Sequence, residues 1–314
     1  MEQFFIVLRQ IAIFLILIIF GVLAVRTKIL DRSGLNTLSR VIMRMALPAY
    51  IFINTAEGAT RAGLISSLWV IPITAGLYGA LFLLSLLIQR LFHLTGNRSH
   101  IFRAVLMFGN VGFMGIPLVV ALYPDTALLY ISLFTILDQA LFWTYGVSLT
   151  KPVTGEKRPF STASLKNLLS PALIAIVLAT LLVVLGVRLP TVLSLALTHL
   201  GSASFPLSLL YIGGMLSLTD VRKVLRCGEL YAEILLKMLA LPIAFYALLR
   251  LLPIPADMAG TMAFVAGLPS INLVPMQANA NGSDGEYAVC AVMLTTLACL
   301  VTLPLVSLGV ALIP

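Results

Sequence analysis

Two stretches decide how this chain is read. Residues 107–120 run MFGNVGFMGIPLVV, and residues 265–282 run VAGLPSINLVPMQANANG. Both are apolar enough to lie in a membrane, yet each carries glycine, proline and an amide side chain in its middle. Proline removes a backbone donor, and its ring clashes with the carbonyl four residues back. Glycine loosens the backbone beside it. Freed backbone groups are tolerated at membrane depth only where protein or a watery cavity satisfies them. One such stretch is a kink or a packing notch, since Gly and Pro are common in membrane helices. Two, in matching places of two half-chains, predict a pair of interrupted helices around a binding site near the midplane.

The matching is visible in the punctuation. Pro48 and Pro206, Gly109 and Gly267, and Pro117 and Pro275 are each 158 residues apart. The rest of the chain has membrane composition. Of 314 residues, 60% are apolar and 10% charged, against about 45–50% and about 25% in a soluble domain. This excludes a water-soluble fold, which could not cover its surface, and a disordered chain, which needs low hydrophobicity. A spanning helix takes about 20 apolar residues. Ten stretches qualify: 4–25, 36–56, 65–91, 101–123, 125–149, 168–187, 191–217, 228–252, 257–281 and 286–312. The interrupted segments are the fourth and ninth. The longest polar stretch falls midway and leaves five spans on each side. The expected organisation is a first repeat in 1–150, a cytoplasmic linker in 151–166 and a second repeat in 167–314. An odd number of spans per repeat makes the second half enter from the opposite side. The fold class expected is thus an all-α membrane protein, ten transmembrane helices arranged as a 5+5 inverted repeat, with helices 4 and 9 broken.

The net charge of +8 follows the same plan. Loops after spans one, three, five and seven carry 13 Lys and Arg: Arg26, Lys28, Arg32, Arg90, Arg98, Arg103, Lys151, Lys157, Arg158, Lys166, Arg222, Lys223 and Arg226. Loops after spans two, four, six and eight carry 3: Arg61, Arg188 and Arg250. The bias puts the odd-numbered loops in the cytoplasm and both termini outside. The membrane expected is the plasma (inner cell) membrane. No basic cluster is interleaved with aromatics, so nucleic acid is not an expected partner. Cys227, Cys290 and Cys299 make no zinc or redox spacing, and His93, His100 and His199 no metal spacing. No P-loop is present, and no cofactor is expected. The N-terminal stretch lacks a basic n-region and a cleavage site, so it reads as the first spanning helix.

The run Gly109-Asn110-Val111-Gly112-Phe113-Met114-Gly115-Ile116-Pro117 resembles the GN-x-GF-x-GIP signature of the auxin efflux carrier family of permeases. That family includes plant auxin exporters and bacterial permeases linked to malonate and malate. The resemblance extends over the full length, and the family fold is similar to that of sodium/bile-acid symporters. It implies that the broken fourth and ninth helices cross within a transport domain of helices 3–5 and 8–10. It also implies a scaffold of helices 1, 2, 6 and 7 carrying a homodimer contact. The long loop of the plant members between spans five and six is missing here, so their regulation does not carry over. The signature does not fix the substrate.

Asn110 and Asn272 flank the two breaks, and Gln277 and Asn279 follow the second. Amides both donate and accept, so they bind a carboxylate or a cation without carrying charge. Half-helices following Pro117 and Pro275 would aim positive dipole ends at the crossing. The expected substrate site is Asn110, Asn272 and Gln277 with the backbone of Gly115 and Val274, beside Pro117 and Pro275. The alternative is that these amides only cap broken backbone. Asp138 sits mid-span, where a charge costs at least about 2.5–3.5 kcal/mol on insertion scales. With Thr295 and Thr296, at the matching position of the second half, it is a candidate for coupling to a proton or sodium; a structural hydrogen bond is the other reading. Glu233 and Lys237, spaced i, i+4, are a self-neutralised pair or a gating pair.

These readings converge on a secondary active transporter of efflux type, with an elevator-type movement. Its substrate would be a small organic anion, such as a mono- or dicarboxylate or an auxin-like acid; its other partners are the lipid bilayer and a second copy of the chain. A sodium-coupled organic anion or bile-acid-like symporter is the alternative within transport, and a membrane metabolite sensor the alternative outside it. An intramembrane enzyme lacks its residues: there is no G-x-S-x-G and no second aspartate to pair with Asp138.

Overall fold

The computed structural model describes residues 2–58, 67–153, 171–220 and 226–313. Arg61, Lys157, Arg158, Lys166, Arg222, Lys223 and residues 154–166 of the expected linker lie outside them. Among the described residues every regular element is helical, and the extended feature is an isolated antiparallel bridge between Gly109 and Ser270.

Four helices are long and apolar enough to cross a membrane unaided: Val70–Leu91, Thr191–Ser217, Gly228–Leu249 and Gly285–Leu312. At 1.5 Å per residue each covers about the 30 Å of a hydrocarbon core. Ala12–Arg26, Ile174–Leu185 and Ala256–Ala266 are shorter apolar helices. The chain is therefore multi-pass. Within Val70–Leu91, Ile73, Leu77, Leu81 and Ile88 are buried while Leu83 and Leu87 are exposed. A helix apolar on its outer face as well as its inner one is suited to lipid.

The helices bend where their sequence forces it. Wide, π-type turns occupy Ile42–Ala46, Val111–Gly115, Phe142–Gly146 and Leu236–Ala240. Three of these contain the residue four places before a proline: Arg44 before Pro48, Phe113 before Pro117 and Met238 before Pro242. The proline nitrogen carries no hydrogen to donate to that carbonyl, and its ring needs the space. A wide turn relieves both problems without ending the helix. The fourth, Phe142–Gly146, has no such proline. There a Cβ on Gly146 would lie 2.8 Å from ring atoms of both Phe108 and Phe142.

Elsewhere glycine sets how closely helices approach. Glu2–Arg26 packs along Ser204–Ser217. A Cβ on Gly213 would lie 2.0 Å from the Ile18 carbonyl oxygen, and one on Gly21 would lie 2.2 Å from that of Leu210. The two backbones touch, as small residues allow in membranes. Gly213→Ala should therefore lower the detergent melting temperature, with a cost of about 1–3 kcal/mol for overpacking. Gly76→Ala, whose Cβ would meet nothing within 4 Å, should leave it unchanged or raise it. Equal melting of the two variants would contradict the close contact.

Candidate functional site

The two stretches first read from sequence meet. Helix Gly96–Met107 ends at Phe108, whose backbone is extended (φ −104, ψ 112). The chain stays non-helical through Asn110 and resumes in the wide turn Val111–Gly115 and helix Ile116–Leu122. On the other side Ala256–Ala266 ends, and helix begins again at Leu273–Ala280. Between them the Asn110 N–H donates to the Pro269 carbonyl at 2.7 Å, and the Ile271 N–H donates to the Phe108 carbonyl at 3.0 Å. Backbone groups freed in one interruption are satisfied by the other. Glycine makes room: a Cβ on Gly115 would lie 2.7 Å from Leu268 Cδ1, and one on Gly109 3.2 Å from Leu268 Cβ.

Successive residues of extended backbone face opposite sides, so the bridge has two faces. Toward one point Asn110 and Ile271. They line a cavity of about 30 Å³ with Tyr50, Asn54, Thr135 and Gln139. Asn110 is buried, and neither atom of its amide has a hydrogen-bond partner; Thr135 Oγ1 and Gln139 Oε1 are unpartnered too. A buried polar group left unmade costs about 1–3 kcal/mol, so orphans converging on one cavity mark a place where something binds. Behind it lies buried Asp138, which accepts from the Tyr78 hydroxyl and, at 2.9 Å, from Gln139 Nε2. The Tyr78 ring stands against Phe108 at 5.7 Å between centroids.

The other face carries Ser270. Its hydroxyl donates to Glu233 Oε1 at 3.1 Å, its N–H donates to Thr295 Oγ1 at 3.2 Å, and the Lys237 ammonium donates to the Leu268 carbonyl. Glu233 and Lys237 sit on consecutive turns of Gly228–Leu235 and Leu236–Ala240. Their polar ends hold the second interruption at residues 268 and 270.

The expected substrate residues are not all brought together. Asn110 borders the cavity. Asn272 turns toward Ser204–Ser217, where its Nδ2 donates to Ser208 Oγ at 3.3 Å and its Oδ1 has no partner. Val274, Pro275 and Gln277 lie in helix Leu273–Ala280 and do not line the cavity. Gly115 closes the wide turn; Pro117 stands in the first turn of its helix, and its side chain lies outside the described residues. Asp138 bonds Tyr78 and Gln139, whereas Thr295 bonds Ser270 and the carbonyl of Thr296 accepts from Cys299 Sγ. Tyr50, Tyr78, Thr135 and Ser270 were not read as site residues from sequence. Only Gln139, adjacent to Asp138 in an apolar run, left a signal there.

The charged pair has a measurable consequence. Lys237→Met leaves the buried Leu268 carbonyl without its donor and Glu233 without its positive neighbour, at a cost of about 1–3 kcal/mol for the unmade bond. Lys237→Met combined with Glu233→Gln removes both charges and should recover much of the melting temperature lost by the single variant. A double variant no more stable than Lys237→Met would refute that coupling.

The chain is similar to known membrane transport proteins. The family model described as membrane transport protein matches residues 6–307. An uncharacterized transporter of Methanocaldococcus jannaschii is 24% identical over 307 residues, covering 90% of this chain and 92% of its own. An uncharacterized transporter of Methanothermobacter thermautotrophicus is 24% identical over 295 residues, covering 93% and 95%. With a signature at the first interruption and a family match along nearly its whole length, the chain belongs to the auxin efflux carrier family of membrane transport proteins.

Proposed function

We propose that this chain is a secondary transporter for a small organic anion, and that the Asn110 cavity is where the anion binds. One observation carries the reading: a buried amide with both polar atoms unpartnered, at the point where two interrupted helices exchange backbone hydrogen bonds. Asn110 Nδ2 and the Thr135 hydroxyl are donors a carboxylate uses. Such carriers bind near the midplane between interrupted helices, which is where this reading sets the two interruptions. In this reading ten helical segments form a 5+5 inverted repeat with the fourth and ninth crossed. Helices 3–5 and 8–10 move as a unit against a dimeric scaffold of helices 1, 2, 6 and 7. The basic loops face the cytoplasm of the inner cell membrane, and both termini lie outside.

Coupling belongs to the same cavity. Unpartnered oxygens of Asn110, Thr135 and Gln139 beside the Asp138 carboxylate suit a proton or sodium taken with the anion. Flux of a carboxylate into proteoliposomes should fall to background for Asn110→Ala while its melting temperature stays near that of the parent. Retained flux would exclude the Asn110 site. Asp138→Asn should remove the pH or sodium dependence of the remaining flux; full dependence in that variant would exclude Asp138 from coupling.

A further inference from the structure

We propose that Tyr50 gates the Asn110 cavity from a vestibule and sets the size of ligand admitted to it, a proposal that rests on the carrier reading above. A second cavity, of about 340 Å³, is lined by Tyr50, Ile53, Asn54, Glu57, Thr198 and Ser202. It lies between helices Leu47–Gly58 and Thr191–Ser202. Tyr50 and Asn54 also line the 30 Å³ cavity at Asn110, so these two residues are common to both linings.

The sizes make the ring decisive. The vestibule falls in the range of about 300–1,000 Å³ that holds small organic molecules. The inner cavity holds about one water. A carboxylate that reaches Asn110 must therefore displace a wall, and Tyr50 is the larger of the two side chains shared with the vestibule. Its backbone cannot yield: a Cβ on Gly201 would lie 2.7 Å from Tyr50 Cα and 2.8 Å from its nitrogen. Its carbonyl accepts from Asn54 Nδ2 at 2.8 Å. Its hydroxyl donates to the Gly112 carbonyl at 2.7 Å, and Gly112 offers a seat that a Cβ would narrow to 3.1 Å from Tyr50 Cε1. Rotation of the ring into the vestibule breaks that bond and joins the cavities. Among the described residues the lining of the inner cavity is neutral, and the vestibule lining carries Glu57.

Thiol labelling of the purified full-length protein tests this without any substrate. Cys227, Cys290 and Cys299 are buried, so the parent chain gives the background rate with a small methanethiosulfonate reagent. Thr198→Cys reports the vestibule and Ile116→Cys the inner cavity. Thr198→Cys should react much faster than Ile116→Cys. Adding Tyr50→Phe, which removes only the hydroxyl bond, should accelerate Ile116→Cys by about tenfold or less, the value of one neutral hydrogen bond. Tyr50→Ala should accelerate it further and leave the Thr198→Cys rate unchanged. If Ile116→Cys reacts as fast with Tyr50 in place as with Tyr50→Ala, or if neither replacement changes its rate, the gate is disproved. Should Tyr50→Ala not yield a monodisperse protein, Tyr50→Phe decides alone: no acceleration overturns the proposal. These rates are read on thiols, so the gate can fail while Asn110→Ala still abolishes flux, and the reverse.

Discussion

The structure depends on two backbone hydrogen bonds, Asn110 to Pro269 and Phe108 to Ile271. A membrane offers no water to an unpaired amide or carbonyl, so an interrupted helix must find partners in protein. Each interruption here is the other's partner. Neither could persist alone, because its donors and acceptors would be stranded at several kcal/mol each. The pairing also ties residues about 160 positions apart to one point. Every later feature of the site, including its two faces and the glycines that let Leu268 approach, follows from that contact.

Alternation along the bridge then divides the chemistry. Ser270 is turned to Glu233 and Thr295, and the neighbouring Leu268 carbonyl takes the Lys237 ammonium. That face is fastened by three side chains from two helices. Asn110 and Ile271 are turned the other way, to a cavity whose polar atoms are left open. Asp138 is near that face but engaged by Tyr78 and Gln139. The second half of the chain holds the contact, and the first half presents it.

Membrane class and all-helical character were legible because they are written locally, in hydropathy, and the non-helical residues beside Asn110 and Ile271 fall where glycine and proline cluster. The proline rule even accounts for three of the wide turns, through the residue four places earlier. What could not be read is which side chains meet across the bundle. Asn110, Asn272 and Gln277 look equivalent by residue type. Yet a change of backbone from extended at Phe108 to helical at Asn272 rotates them toward different neighbours. Pairing Asp138 with Thr295 and Thr296 failed to anticipate Tyr78 for the same reason: the offset of 158 gives a matching position, not a contact. Tyr50 left no signal, since an aromatic in an apolar helix is ordinary until two cavities are found on either side of it.

The uncharged lining bears on how such a site could work in a carrier. A binding unit that moves through a membrane must do so both loaded and unloaded. A fixed Lys or Arg at the site would favour an anion strongly, but its unloaded form would move a bare charge through low dielectric, at a cost of several kcal/mol. An amide loses far less when its ligand leaves, and its two ends serve a carboxylate and a cation alike. Among the described residues Lys237 is committed to the Leu268 carbonyl and Asp138 to Tyr78 and Gln139, while Glu233 accepts from Ser270 through one oxygen and leaves the other open. On the proposed reading, an amide in place of a cation at the Asn110 cavity keeps the difference between the loaded and unloaded states small. A small difference is what allows net flux to follow concentration.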